Sequence, residues 1–147
     1  MTIKSIPEVG EIFGGYVPAK RELLHITVGG VDAATTTDLI LSSAATASYT
    51  LVNVDVPIVL YTIYTMVETA FTAVVDLEIG NSTTVDNWSD EATIGATTAG
   101  VVLVANATGL SVPAVLAAGA DILLDNSGAV AETGLLHVYI EYAVLAD

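Results

Sequence analysis

The chain has no cysteine and no glutamine, and beyond position 21 it has no lysine or arginine. Without cysteine there are no disulfides and no thiolate metal sites, and the redox compartment is unreadable. Without glutamine, and with few Lys or Arg, the usual polar face of an amphipathic helix is missing. The shortage of cations reaches furthest. Lys4, Lys20 and Arg21 are the only basic residues besides two histidines, while Glu22 to Asp147 carry fifteen acids. That long acidic part cannot be tied together by Lys or Arg ion pairs, so it has to rest on apolar burial and backbone hydrogen bonds. Binding a phosphate backbone needs a basic face, so the acidity argues against nucleic acid as a partner. Long hydrophobic runs are lacking too. Val56 to Val67 is apolar for only twelve residues, against the roughly 20 that a membrane-spanning helix needs. The uncharged stretch 92–120 is broken by Gly95, Gly100, Asn106, Gly109, Pro113 and Gly119. No membrane partner and no signal peptide are expected.

What is present points to strands. Val, Ile and Thr number 20, 11 and 18 of 147 residues, a third of the chain, and β-branched residues favour extended backbone. Turn residues recur at Gly29-Gly30, Gly80-Asn81, 106–109 and Asn126-Ser127-Gly128, the spacing of an all-β domain. Strands are expected near 23–31, 36–42, 47–55, 57–67, 70–79, 100–105, 110–116, 121–125 and 135–145. Residues 1–21 hold Pro7, Gly10, Gly14, Gly15 and Pro18 and read as an extended arm, slightly basic against the acidic body. The expected fold is a single two-sheet β-sandwich of jelly-roll type over 22–147, preceded by that arm.

Two strands are apolar on both faces. In 57–67, Ile58, Leu60, Tyr64 and Met66 alternate with Val59, Tyr61, Ile63 and Val67. In 135–145, Leu136, Val138, Ile140, Tyr142 and Val144 form one face, and Leu135, His137, Tyr139, Glu141, Ala143 and Leu145 the other. One face of an antiparallel sheet normally meets water. A second apolar face needs cover, from loops, from the arm or from another copy of the chain. With 53% apolar residues, a homo-oligomer is expected.

Catalytic signatures are missing. His25 and His137 have no nucleophile or second ligand at local spacing and read as strand-face residues. There is no phosphate loop, no Gly-x-Ser-x-Gly and no His-Glu-x-x-His, so neither an enzyme nor a cofactor is expected. The loop 83–91 clusters Asp86, Asn87, Ser89, Asp90 and Glu91, oxygen donors that could suit calcium, but it lacks the EF-hand spacing. The bland alternative is a solvated loop whose Trp88 packs over the end of the sandwich. Contact residues are expected in Lys4, Phe13, Tyr16, Lys20 and Arg21 of the arm, and in Trp88, the single tryptophan.

The second half carries Asp76-Leu77-Glu78-Ile79-Gly80, the acidic Trp loop 86–91, Ala117-Ala118-Gly119-Ala120-Asp121-Ile122-Leu123-Leu124 and Gly134-Leu135-Leu136-His137-Val138-Tyr139-Ile140-Glu141-Tyr142. Over about residues 70–145 this resembles small virion structural proteins of tailed bacteriophages, of the head decoration or cement type. The resemblance implies a trimer on the exterior of a major capsid protein shell, with no active site. The alternatives are a tail or head-fibre component and a carbohydrate-binding β-sandwich module. The latter would normally present several aromatics in one strip.

The alternation from Ala70 to Ile79 places Leu77 inside and Glu78 outside. Leu77→Asp is therefore expected to cost at least about 4 kcal/mol, because no cation is near to pair the buried charge. Glu78→Ala should change stability by less than about 0.5 kcal/mol. Thermal melts of both variants decide, and equal losses would mean a register wrong by one residue.

Overall fold

A computed structural model describes residues 2–3, 20–31, 37–41, 47–71, 75–89, 94–99, 104–105, 113–128 and 133–145. Ten strands follow in chain order: β1 (Thr2–Ile3), β2 (Arg21–Gly29), β3 (Leu39–Ile40), β4 (Ala47–Val54), β5 (Ile58–Thr69), β6 (Leu77–Gly80), β7 (Val104–Ala105), β8 (Ala114–Leu116), β9 (Asp121–Asn126) and β10 (Leu135–Val144). They form a four-stranded sheet, β1-β4-β9-β6, and a six-stranded sheet, β3-β2-β10-β5-β7, in which β8 also pairs with β5. The chain is an all-β sandwich, as its composition and turn spacing predict.

The pairings are nested. β2 pairs antiparallel with β10, β4 with β9, β5 with β8, and Ile79 of β6 with Ser89. Each inner pair lies between the members of the next pair out. The chain is thus one long two-ply ribbon whose tip is the turn at 81–88. Rolling the ribbon up brings β10 beside β5 and β6 beside β9. Pairs then fall alternately into the two sheets, which is the connectivity of a jelly roll.

The tip is held by local polar groups. Asn81 Oδ1 accepts from the amides of Thr83 (2.9 Å) and Thr84 (2.8 Å), and the Asn81 amide donates to the Thr84 carbonyl. This side-chain substitute for a backbone turn is why Asn sits there. The returning chain passes so close that a Cβ on Gly80 would overlap the carbonyl oxygens of Thr84 and Val85.

Between the sheets lie Ile26, Val28, Leu51, Val52, Val54, Ile58, Leu60, Ile63, Leu77, Ile79, Ile122, Leu124, Leu136, Val138 and Ile140, all buried. Fully burying one such side chain is worth about 1.5–3 kcal/mol, and the acidic part of the chain has little else to draw on. Of the apolar face expected in β10, Leu136, Val138, Ile140 and Tyr142 are buried and Val144 is half-buried; in β6 the inward places of Leu77 and Ile79 are borne out. The expected faces of β5 need correction. The register against β10 shifts between Glu141 and Tyr142. Ile58 and Leu60 point inward before the irregularity, and Ile63, Thr65 and Val67 after it. A bulge inserts one residue and exchanges faces beyond it. Tyr64 and Met66 consequently face outward, not inward with Ile58 and Leu60.

At one end of the sandwich Tyr142, on the inner face of β10, donates its hydroxyl to Glu22 Oε2 at 2.9 Å. Burial and this carboxylate raise the phenol to about 12. In the unfolded chain a tyrosine ionises near its ordinary value of 10.0. Between these two values the unfolded state has lost the proton and the folded state still holds it. Stability should therefore fall as pH rises from 10 to 12, and Tyr142→Phe should flatten that fall. The difference between the spectroscopic titrations of the wild type and Tyr142→Phe should show this phenol ionising at about 12. A difference centred on its ordinary value would refute the assignment. Gly80→Ala should cost at least about 3 kcal/mol by forcing the tip open. Gly119 has a positive φ of 88° but open space around it, so Gly119→Ala should cost about 1 kcal/mol. Denaturant melts of the two variants would separate the crowded glycine from the merely left-handed one.

Candidate interaction surface

The two outer faces of the sandwich differ in chemistry. Along β4, Ser48, Thr50 and Asn53 are exposed; along β9, Asp121, Leu123 and Asp125 are half-buried and alternate with buried residues, as does Glu78 in β6. The outer face of the four-stranded sheet is therefore hydroxylic and acidic. Glu78 and Asp125 stand directly opposite one another, and the Ser48 hydroxyl donates to Asp125 Oδ1.

The outer face of the six-stranded sheet carries Arg21, Leu23, His25 and Thr27 from β2, His137, Tyr139 and Glu141 from β10, and Val59, Tyr64 and Met66 from β5. The register crosses three strands through His25, Tyr139 and Tyr64, and again through Leu23, Glu141 and Thr62. His25 stacks on Tyr139 with centroids 4.4 Å apart and planes 7° from parallel. His25 Nε2 lies 2.9 Å from His137 Nδ1, and His137 Nε2 lies 2.6 Å from Glu68 Oε2. One imidazole nitrogen donates to the other, so the pair is stable only while one ring keeps a free lone pair. A second added proton would leave two donors facing each other.

Flanking groups fix this arrangement. Asp38 Oδ2 accepts from the Thr27 amide at 2.8 Å and its hydroxyl at 2.9 Å, docking the segment before β3 onto β2. The Thr27 amide is the main cause holding the Asp38 carboxyl below its ordinary range. At the other end Arg21 Nη1 donates to Glu141 Oε1 at 3.1 Å, and its guanidinium sits 3.9 Å over the Tyr61 ring. The fully buried Ala143 is opposite Arg21 on β10 and small enough to be spanned. The bond to Glu141 also raises the Arg21 pKa. Arg21, Glu22, Leu23, Tyr64 and Glu141 line a shallow open cleft beside this bridge.

The residues expected as contacts are distributed differently. Arg21 is the first residue of β2 and is engaged within its own chain; Lys20 is exposed just before it. Lys4, Phe13 and Tyr16 lie outside the described residues. Trp88 is 1% exposed and belongs to the core. It therefore packs over the end of the sandwich, and its ring is not offered as a surface contact. Its amide donates to the Ile79 carbonyl, which turns the side chain inward beside the tip. Among the described residues no group of three or more His, Asp or Glu is placed to hold a metal ion. Asp90 and Glu91 of the acidic loop lie outside them. No helix among the described residues is long and apolar enough to cross a membrane.

The histidine pair is a feature that sequence spacing missed. His25 and His137 are 112 residues apart, and only the β2–β10 register, with Thr27 opposite His137 and Tyr139 opposite His25, makes them diagonal neighbours. Their place in two strands was visible. The pairing of those strands was the signal needed.

No protein-family profile matches the chain, and no curated protein matches it in sequence. Among solved structures it is similar to a chain of the cyanophage Pam1 capsid asymmetric unit, with a TM-score of 0.57 and 14% sequence identity. The alignment covers 97% of this chain and 94% of that one. At this identity the likeness shows that the two chains share a fold nearly end to end.

Proposed function

We propose that the chain is a non-enzymatic virion structural protein that binds the exterior of a phage capsid shell and stabilises it, in the manner of a head decoration or cement protein. The observation that carries this reading is the end-to-end match to one chain of a phage capsid asymmetric unit. Two chains that cover each other almost completely are of similar size and share one fold.

The chemistry of the chain supports the reading. The acidic outer face and the absence of Lys and Arg beyond position 21 oppose contact with packaged DNA, which favours the outside of the shell. The histidine pair is hydrogen-bonded to itself and to Glu68 and lies on an open sheet face, a poor setting for general acid–base chemistry, which needs a positioned substrate. A sugar-binding strip loses its best platform with Trp88 in the core. The working unit is a homo-oligomer, and following the phage resemblance a trimer. In that form each unit touches more than one shell subunit, and the contacts resist internal pressure.

Mixing the purified protein with undecorated shells of its own virus tests the proposal. Co-sedimentation is expected, together with a rise in the temperature at which the particles release DNA. Binding should persist at moderate salt, because Arg21 is already engaged within its chain and exposed charges add little. Failure to co-sediment, or binding with no gain in heat resistance, would overturn the cement role and point to a tail or head-fibre component.

A further inference from the structure

The six-stranded sheet brings two imidazoles together head to head. His25 of β2 and His137 of β10 lie on its outer face, with His25 Nε2 and His137 Nδ1 2.9 Å apart. The ring planes are 16° from parallel and the centroids 5.1 Å apart, so the rings meet edge to edge. His25 is exposed, and the His137 side chain keeps 13% of its surface exposed. An ion from solvent can reach both.

Glu68 fixes where the protons sit. A carboxylate only accepts, so His137 Nε2 carries a proton and donates it to Glu68 Oε2 at 2.6 Å. His137 Nδ1 is then a bare lone pair aimed at His25. Histidines that ligate metals are held in this way: the nitrogen away from the ion donates to a carboxylate, which sets the tautomer and raises the basicity of the ligating nitrogen. His25 Nε2 offers a second lone pair once its proton moves to Nδ1, with no change in net charge.

Distance selects the ion. Metal–imidazole bonds of about 2.0–2.1 Å set two ligands at a right angle about 2.9 Å apart, and two tetrahedral ligands about 3.4 Å apart. The 2.9 Å between the two nitrogens fits adjacent corners of a square-planar or tetragonal site, the preference of copper(II) and nickel(II). For both lone pairs to converge on one ion, the exposed His25 ring has to turn. It stacks on Tyr139 with planes 7° apart, and turning within its own plane keeps that contact. No group of three or more His, Asp or Glu among the described residues forms a metal site, so water takes the remaining positions. Calcium and magnesium take oxygen ligands and are disfavoured by two imidazoles.

We propose that His25 and His137 form a binding site for a divalent transition-metal ion of the nickel and copper class, with Glu68 as its positioning residue. The ion joins β2 to β10 and acts as a structural cross-link. The two histidines are 112 residues apart in the chain, so the site exists only in the folded protein and the ion stabilises that state.

Calorimetric titration of the full chain with NiCl2, in excess MgCl2 to occupy the carboxylates, tests the site. Thermal melts with and without NiCl2 give a second readout. One saturable ion per chain is expected, with a rise in melting temperature. His25→Ala and His137→Ala should each weaken binding by more than about 10-fold and remove the thermal shift, with β-type circular dichroism retained. If His137→Ala does not fold, His25→Ala, at the exposed position, decides. Glu68→Gln, on a side chain 55% exposed, should weaken binding by about 10-fold. No saturable uptake by the wild type, or equal uptake by the folded histidine variants, would overturn the site. Undiminished affinity in Glu68→Gln would overturn the role given to Glu68.

Discussion

The ladder that β10 makes with β2 on one side and β5 on the other is the constraint from which the rest of the molecule follows. A chain with fifteen acids and no Lys or Arg after position 21 has few side-chain pairs to align its strands. Register must come from backbone hydrogen bonds and from the apolar alternation that selects one face. β10 meets both demands. Leu136, Val138, Ile140 and Tyr142 point into the core, while both edges are paired along the strand. The diagonal contact of His25 with His137, the stack on Tyr139 and the Arg21–Glu141 bridge all depend on that register.

The same constraint sorts the charges. Acids on the six-stranded sheet find Arg21, His137 or a Thr27 donor, all three carried by β2 and β10. On the four-stranded sheet the Ser48 hydroxyl donates to Asp125. The sandwich is therefore two-sided in chemistry as well as in architecture, with an aromatic face whose acids are hydrogen-bonded within the chain backed by a hydroxylic and acidic one. An exposed acidic face discourages non-specific association.

Much of the fold was legible in the sequence because period-2 alternation and turn residues report directly on burial and chain reversal. The segments 23–31, 47–55, 57–67, 121–125 and 135–145 anticipate β2, β4, β5, β9 and β10 closely. The faces of Leu77 and Glu78 follow from alternation alone. What failed did so for specific reasons. The irregularity near Tyr61 is set by pairing with β10, and no local pattern marks it. Trp88 stands in an acidic stretch that reads as solvent-facing, yet the hydrogen bonds of the tip turn its ring inward. The outer face of the six-stranded sheet was half legible: two-sided apolar strands marked it, but its membership needed the order β2-β10-β5. Of the expected contacts in the arm, Arg21 proved to begin a strand.

The nested pairing also dictates when the molecule can become itself. In most small folds a hairpin or a helix pair can form as soon as it is made. Here, among the described residues, only the strand pairing at the tip around 79–89 is local, and each further nested pair joins segments progressively more distant in the chain, until β2 meets β10. Closing such loops is entropically costly and slow. During synthesis β2, β4 and β5 emerge long before their partners and wait with apolar faces uncovered, a state exposed to misassociation. Completion comes only when Leu135–Val144 arrives, and the aromatic face is assembled at that same moment, because its middle strand is the last one made. The outer face of the six-stranded sheet is thus absent from every intermediate that lacks β10.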